Sequence, residues 1–143
     1  MIKIAYPQVQ FRIKKEKNKE RIFDEVRQKW VALTPEEWIR QNFIHYLLKV
    51  ENYPRPLLSV EKIIQLGELR KRCDIVVYKN GRPWMIVECK EMKEDLKLPV
   101  LEQIVRYNLS YKVTFLVITN GLFTQAFEIS STGVSELKHF PKF

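Results

Sequence analysis

Two runs of apolar, β-branched residues flank a turn in the middle of the chain. The runs cover 72–78 and 83–90, with an Asn-Gly turn between them. This pattern predicts a β-hairpin. Three charged residues interrupt it: Asp74 in the first strand, and Glu88 and Lys90 at the end of the second. Charged side chains are costly to bury unless they pair or bind a metal, so the hairpin predicts a site.

The length of the turn decides whether the two carboxylates can meet. A two-residue loop of Asn80 and Gly81 would place Asp74 and Glu88 on opposite faces of the hairpin. A three-residue loop that begins at Lys79 makes Glu88 a diagonal neighbour of Asp74 on the same face. We therefore predict either this odd-length loop or a β-bulge.

A first helix is predicted from Thr34 to about Val50. Thr34 suits the N-cap, Pro35 suits the first helical position, and Glu37 completes a capping box. The apolar residues that follow recur at helical spacing, which predicts that the helix packs on a sheet.

The rest of the chain predicts a mixed sheet with helices on its sides. Two short strands joined by the charged segment 14–20 form an N-terminal β-hairpin extension; we expect a solvated loop there, with phosphate contact as the alternative. The apolar run 113–119 is typical of a buried strand, and a helix before it predicts a parallel crossover. The remaining predicted elements are a strand at 57–66, a second helix from Pro99 to about Leu109, and a last strand at 123–129.

Composition and charge set outer bounds on function. The chain has 143 residues and a net charge of +8, which favours polyanionic partners. It has no apolar run of membrane-spanning length and no apolar leader, so we expect a cytoplasmic protein without a membrane partner. Cys73 and Cys89 are expected to be buried free thiols. No glycine-rich phosphate loop is present, which excludes a nucleotide-driven motor within this sequence.

The hairpin residues have the chemistry of a metal site. Asp74 and Glu88 can share one Mg²⁺ or Mn²⁺ ion, and the backbone carbonyl of Cys89 can be a third ligand. Lys90 can orient or deprotonate a water, or offset charge that grows on a phosphate. Together these groups suffice to hydrolyse a phosphodiester. The alternative is a salt-bridged sheet edge, in which Asp74 pairs with Arg72 or Lys90 and Glu88 with Lys90.

The ordered set of motifs resembles the PD-(D/E)xK nuclease superfamily. More narrowly, it resembles the nuclease domain at the N-terminus of type I restriction enzyme R subunits. The likeness covers residues 20–129. The matching segments are Arg72-Cys-Asp-Ile-Val-Val77, Val87-Glu-Cys-Lys90, Gln103-Ile-Val-Arg-Tyr-Asn108, Ile118-Thr-Asn-Gly121 and, upstream, Leu33-Thr-Pro-Glu-Glu-Trp-Ile-Arg-Gln41.

The resemblance implies a role for each matching residue. Asp74 and Glu88 would bind the metal, Lys90 and Gln103 would be catalytic, and Tyr107 would lie near the DNA. Gln103 and Tyr107 could instead pack a helix on the sheet, since they lie four residues apart. Two further sets complete the implied site: Glu37 as an additional metal ligand, with the helix cap as its alternative, and Arg72 and Asn120 as supporting or DNA-binding residues.

The implied fold is α/β (α+β), a restriction-endonuclease-like mixed β-sheet flanked by helices. The implied domain covers 1–143, with an extension at 1–33, a nuclease core at 34–129 and a tail at 130–143 that Phe140 and Phe143 pin to the body. The implied activity is a Mg²⁺-dependent endodeoxyribonuclease without the motor of the R subunit. A non-catalytic module that binds nucleic acid or supports assembly is the alternative, and a purely structural domain is a third. DNA is the expected partner, and a homodimer and a partner chain both stay open.

Overall fold

The computed structural model describes residues 1–66, 69–91 and 113–143. These segments combine α and β structure, mostly sheet, which confirms a mixed α+β class. Within them, no helix has the length and apolar character that crossing a membrane requires. The elements are β1 (Ile13–Glu16), β2 (Lys19–Asp24), β3 (Lys29–Ala32), α1 (Pro35–Lys49), a 3-10 turn (Arg55–Leu57), β4 (Leu58–Leu66), β5 (Leu69–Lys79), β6 (Arg82–Cys89), β7 (Phe115–Thr119), β8 (Thr124–Ser130) and β9 (Gly133–Glu136).

The N-terminal residues form a three-stranded antiparallel sheet in the order β1-β2-β3. The predicted hairpin is present, but the prediction of a long charged loop is wrong. The turn is only Lys17 and Asn18, both with positive φ, and the flanking lysines and glutamates belong to strands. Ile22 of β2 is fully buried, whereas its partner Ile13 is exposed, so burial along β2 together with strand pairing outweighs the polar character of the neighbouring residues. The third strand, Lys29–Ala32, was not predicted.

The main sheet has six strands in the order β4-β5-β6-β7-β8-β9. Neighbouring strands are antiparallel except β6 and β7, which are parallel. This confirms the three consecutive antiparallel strands and the parallel step after the central hairpin. The strand predicted to be last is followed by β9, which pairs with it across a turn whose glycine, Gly133, has φ +137°. The predicted second helix lies outside the described residues.

Two apolar cores lie on opposite faces of this sheet. On one face α1 packs against the central strands, with Phe43, Ile44 and Leu47 fully buried beside Ile75 and Val87. Burial of each such side chain stabilises the fold by roughly 1.5–3 kcal/mol. The second core contains Cys73, Val76, Ile86, Leu116 and Ile118. Cys73 and Cys89 are free and buried, as predicted.

The C-terminal tail is held by aromatic contacts, as the prediction for Phe140 and Phe143 stated. The Phe140 ring contacts Phe43, with 6.0 Å between centroids, and Tyr46, at 5.5 Å. Phe143 packs against Tyr53 at 5.8 Å. The Tyr53 hydroxyl also donates a hydrogen bond to the carbonyl of Pro141, so the tail is fixed by both ring packing and a polar contact.

The central hairpin has a two-residue loop and a β-bulge. Asn80 and Gly81 both have positive φ, as a tight hairpin turn requires. Near the loop, Lys79 pairs with Arg82, but the register shifts beyond Tyr78 so that Trp84 is the extra residue. The three-residue loop is therefore wrong and the bulge is confirmed. It follows Pro83, which has no N–H for the strand ladder and so favours a bulge at this point.

Candidate functional site

Asp74 lies where β5 and β6 stop pairing. The last paired residues are Ile75 and Val87, and this register continued by one step sets Asp74 opposite Glu88. The side-chain alternation of β5 breaks here, since Cys73 joins one core and Ile75 the other. The Asp74 carboxylate accepts a hydrogen bond from the Cys89 N–H at 2.8 Å. A side chain thus satisfies a backbone donor at the point where the strands separate.

Arg40 of α1 is the main partner of Asp74. One guanidinium nitrogen donates to Asp74 Oδ1 at 2.6 Å, and another donates to Glu37 Oε1 at 2.8 Å. Arg40 is only 4% exposed. Burial by itself lowers the pKa of Arg40, but the hydrogen bond to Asp74 and the charge of Glu37 raise that pKa above its ordinary value. The side chain is therefore a fixed cation against the candidate site.

The ion-pair network continues into the N-terminal sheet. Arg27 donates to Asp24 at 2.6 Å and to Glu37 at 2.5 Å. Gln41 donates to the same oxygen, Oδ2, of the fully buried Asp24 at 2.8 Å. Burial would raise the pKa of Asp24, but hydrogen bonds from Arg27 and Gln41 hold it below its ordinary value. Residues far apart in sequence are thereby joined into one polar cluster that ends at Asp74.

Glu37 does not form the predicted capping box. Thr34 is the N-cap, and its hydroxyl accepts the Glu37 N–H at 3.0 Å, which confirms that half of the motif. The Glu37 carboxylate, however, accepts hydrogen bonds from Arg27 and Arg40 instead of turning back to the helix start. Two arginines outcompete the cap because each brings a full positive charge to the buried carboxylate, whereas the cap offers it one neutral backbone N–H.

Glu88 is buried beside a lysine. Its relative exposure is 7%, and Lys71 Nζ lies 2.9 Å from its Oε1. Burial raises the pKa of Glu88 to about 7; the positive charge of Lys71 opposes this shift, and the negative charge of Asp74 adds to it. The two carboxylates are thus close enough to repel each other, and positive charge near Glu88 stabilises its ionised form.

The predicted salt-bridged edge has different partners from those expected. In the described part of the chain, Asp74 pairs with Arg40 and Glu88 with Lys71, and no ion pair joins either carboxylate to Arg72 or Lys90. The prediction considered only charged residues close to the two carboxylates on the hairpin. The observed partners are Arg40 of α1 and Lys71 in the early part of β5.

The other predicted site residues occupy varied positions. Lys90 is half-exposed and donates its N–H to the Thr119 carbonyl at 2.8 Å; its charge also opposes the rise that burial and Asp74 cause in the pKa of Glu36. Arg72 is exposed on β5. Asn120 Oδ1 accepts the N–H groups of Leu122 and Phe123 at 3.0 and 2.7 Å, which fixes the turn before β8. Gln103 and Tyr107 lie outside the described residues.

A cavity of about 510 Å³ opens beside the Arg40–Asp74 pair. Its polar lining includes three carboxylates that the sequence analysis missed, those of Glu36, Glu61 and Glu91. Glu61 also lies 3.4 Å from Arg40 Nη2. A signal existed for part of this set, because Glu36 and Glu37 precede Arg40 by four and three residues, the spacing of ion pairs on a helix. Glu61 and Lys71 carried no comparable signal.

The donor set at the strand ends suits a hard divalent cation. Two carboxylates with water can satisfy Mg²⁺, and the raised pKa of Glu88 reflects first its burial and then the negative charge of Asp74, against the opposing charge of Lys71. Among the described residues, no group of three or more His, Cys, Asp or Glu side chains is arranged to hold a metal ion. A bound ion would therefore rest on Asp74, Glu88 and backbone or water oxygens.

Comparison with known proteins gives one family. Residues 35–141 match the family described as type I restriction enzyme R protein N terminus (HSDR_N). The matched range begins at the first residue of α1 and includes the central hairpin, β7 and the C-terminal strands. No curated protein matches the chain.

Proposed function

The chain belongs to the family of type I restriction enzyme R protein N termini (HSDR_N), and on that premise we propose that it is a metal-dependent nuclease acting on DNA. The observation that carries the proposal is the hairpin register, which pairs Ile75 with Val87 and, continued by one step, sets Asp74 opposite Glu88, with Lys90 two residues further on. We propose that the sheet and α1 belong to a restriction-endonuclease-like fold.

The proposed roles follow from the chemistry of each group. Asp74 and Glu88 would hold Mg²⁺ or Mn²⁺, with the Cys89 carbonyl as a third protein ligand. When bound, the cation polarises a phosphoryl oxygen and lowers the pKa of a coordinated water. Lys90, half-exposed at the end of β6, would orient the attacking water or offset charge on the phosphate. We retain Gln103 as a proposed catalytic residue and Tyr107 as a proposed DNA contact.

A second candidate is a module that binds nucleic acid or supports assembly without turnover. The observation that favours it is that both proposed metal ligands already have cationic partners, Arg40 and Lys71. In that case the carboxylates would stabilise the junction of α1 with the hairpin. Metal binding separates the candidates, since only the nuclease requires it.

The test compares the wild type with Asp74→Asn, Glu88→Gln and Lys90→Ala. Glu128→Gln, on the exposed side of β8, is the matched control for loss of one carboxylate. Calorimetric titration with Mn²⁺ should give one site that the Asp74 and Glu88 variants lose and the control keeps. Cleavage of duplex and single-stranded DNA in Mg²⁺ should be lost in all three test variants and in EDTA.

Two results would decide against the nuclease. The first is a wild-type protein that is shown to be folded by a cooperative thermal unfolding transition and yet cleaves none of the DNA substrates in Mg²⁺ or Mn²⁺. The second is cleavage that Lys90→Ala and Glu88→Gln leave unchanged. DNA binding that weakens with salt but is independent of metal, without cleavage, would support the non-catalytic module.

A further inference from the structure

The two faces of the N-terminal sheet differ in charge. Ile22 and Asp24 are fully buried on the face toward α1, where Gln41 contacts Asp24. Strand alternation and the pairing of Lys14 with Arg21 assign the remaining residues to each face. The inward face carries Lys15 and Lys29 against Glu20 and Asp24, a net charge of zero. The outward face carries Arg12, Lys14, Lys19 and Arg21 against Glu16, a net charge of +3.

Two aromatic rings hold the cations of this outward face. Phe23 and Trp30 pair across β2 and β3 with 5.4 Å between ring centroids. The Arg12 guanidinium carbon lies 4.3 Å from the Phe23 centroid, and Lys14 Nζ lies 4.4 Å from that of Trp30. Such cation–π contacts restrict long side chains that would otherwise be free. Less conformational entropy is then lost when those side chains bind a ligand.

We propose that the outward face of the N-terminal sheet binds the phosphate backbone of DNA without reading the base sequence. Charge complementarity carries the proposal, because +3 on one small sheet face suits a polyanion and Arg12 and Arg21 offer guanidinium groups that match phosphate oxygens. The rings are covered by cations, so the phosphates and not the bases are the contacted groups. The choice of DNA rests on the proposed function, but the surface itself precedes the family-matched range, which begins at residue 35.

An anionic membrane is less compatible with this face. Binding to a lipid surface gains most from apolar side chains that enter the bilayer. Here Phe23 and Trp30 are half-buried, and Arg12 and Lys14 lie over them. The exposed groups are charged, so the face presents ionic contacts with little apolar area.

The test is a charge-matched comparison of two triple variants. Lys14→Gln, Lys19→Gln and Arg21→Gln together remove three charges from the face. Lys3→Gln, Lys138→Gln and Lys142→Gln remove three charges from exposed positions outside the N-terminal sheet. Affinity for a labelled DNA duplex is measured over a range of salt concentrations in EDTA, where metal-dependent turnover cannot occur. Cleavage in Mg²⁺ is measured separately, so a failure of this proposal is distinct from a failure of the nuclease.

We expect the face variant to bind DNA more weakly and its salt slope to fall by about three, one for each phosphate that the variant no longer neutralises. The control should keep the wild-type slope. Equal slopes for the two triple variants would overturn the proposal, because net charge alone would then explain binding. The proposal would also be overturned, in favour of a lipid surface, if the face variant lost the binding to phosphatidylserine vesicles that the wild type shows but bound DNA as the wild type does.

A single substitution tests the same face in the opposite direction. Glu16 is the one carboxylate assigned to the outward face above, and its contacts with Lys14 and Arg21 are exposed at 3.7 and 3.5 Å, so removing it costs little stability. Glu16→Gln should tighten DNA binding, whereas Glu128→Gln, which makes the same change of net charge elsewhere, should tighten it less. If the triple variant does not fold, equal effects of these two single variants would overturn the proposal.

Discussion

Replacing Arg40 by methionine is expected to destabilise the fold strongly at neutral pH. Methionine preserves much of the apolar stem but leaves Asp74 and Glu37 without the cation that contacts both. These carboxylates have side-chain exposures of 12% and 6%, so water replaces the missing interaction poorly. Removing one partner of a buried ion pair costs about 3–5 kcal/mol. The more exposed contacts with Glu36 and Glu61 add little.

Urea unfolding followed by tryptophan fluorescence measures this free energy of unfolding. A loss of about 3–5 kcal/mol is large beside the roughly 5–15 kcal/mol that a domain has in total. Arg82→Met, at an exposed position of the hairpin, is the control and should change stability by no more than about 0.5 kcal/mol. Arg40→Lys should fall between the two, because lysine keeps the charge but loses the planar fork.

The stability difference between the wild type and Arg40→Met should depend on pH in a defined direction. Without Arg40, the nearby carboxylates are costlier to ionise in the folded state, so the variant binds more protons when folded than the wild type does. The stability difference should therefore shrink as pH falls from 7 toward 4. Equal unfolding midpoints for the Arg40 and Arg82 variants, or a difference independent of pH, would refute the view that Arg40 balances this cluster.

Three other predictions concern Glu88, the tail and the β7–β8 turn. The pKa of Glu88 is raised from an ordinary 4.5 to about 7 in the folded protein. Between pH 4.5 and 7 the folded state therefore binds more protons than the unfolded state, so the stability of the protein should fall as pH rises from 4.5 through 7. Glu88→Gln should flatten this dependence in urea unfolding between pH 5 and 8, and a curve that Glu128→Gln flattens equally would contradict the assignment. Phe140→Ala should lower the free energy of unfolding by about 3 kcal/mol, since its ring fills the contact with Phe43 and Tyr46; loss below about 1 kcal/mol would show that the tail does not contribute to the core. Asn120→Ala leaves two backbone N–H groups without their acceptor and should cost about 1–3 kcal/mol in thermal or urea unfolding, whereas an unchanged midpoint would mean that water satisfies them.

The sequence was most informative where local pattern and tertiary structure agree. The apolar runs around Asn80 and Gly81 predicted the hairpin, and the requirement that two carboxylates meet predicted a bulge or an odd loop. The N-cap at Thr34 could be predicted because helix capping involves residues that are close in sequence, here Thr34 and Pro35. The parallel step between β6 and β7 was predicted from a crossover helix between the two strands, and that helix lies outside the described residues.

The errors came from contacts between distant segments. The charged residues on either side of Lys17 have the composition of a loop, and they become strands because β1 pairs with β2, whose Ile22 is fully buried. Glu37 has the spacing of a capping residue, but Arg27, ten residues earlier in the turn between β2 and β3, competes for its carboxylate. Arg40 was overlooked for a similar reason, because its bond to Asp74 joins a helix to a strand 34 residues away.

The bulge at Trp84 has a consequence for how this hairpin can vary. Without it, the pairing of Lys79 with Arg82 would continue unchanged and set Asp74 opposite Val87. Glu88 would then turn to the other side of the strand. Most substitutions in the loop should therefore leave the carboxylate pair in place, whereas a change in loop length should not. A single-residue insertion or deletion between the two strands is tolerated only if a second one returns Asp74 and Glu88 to the same face of the hairpin.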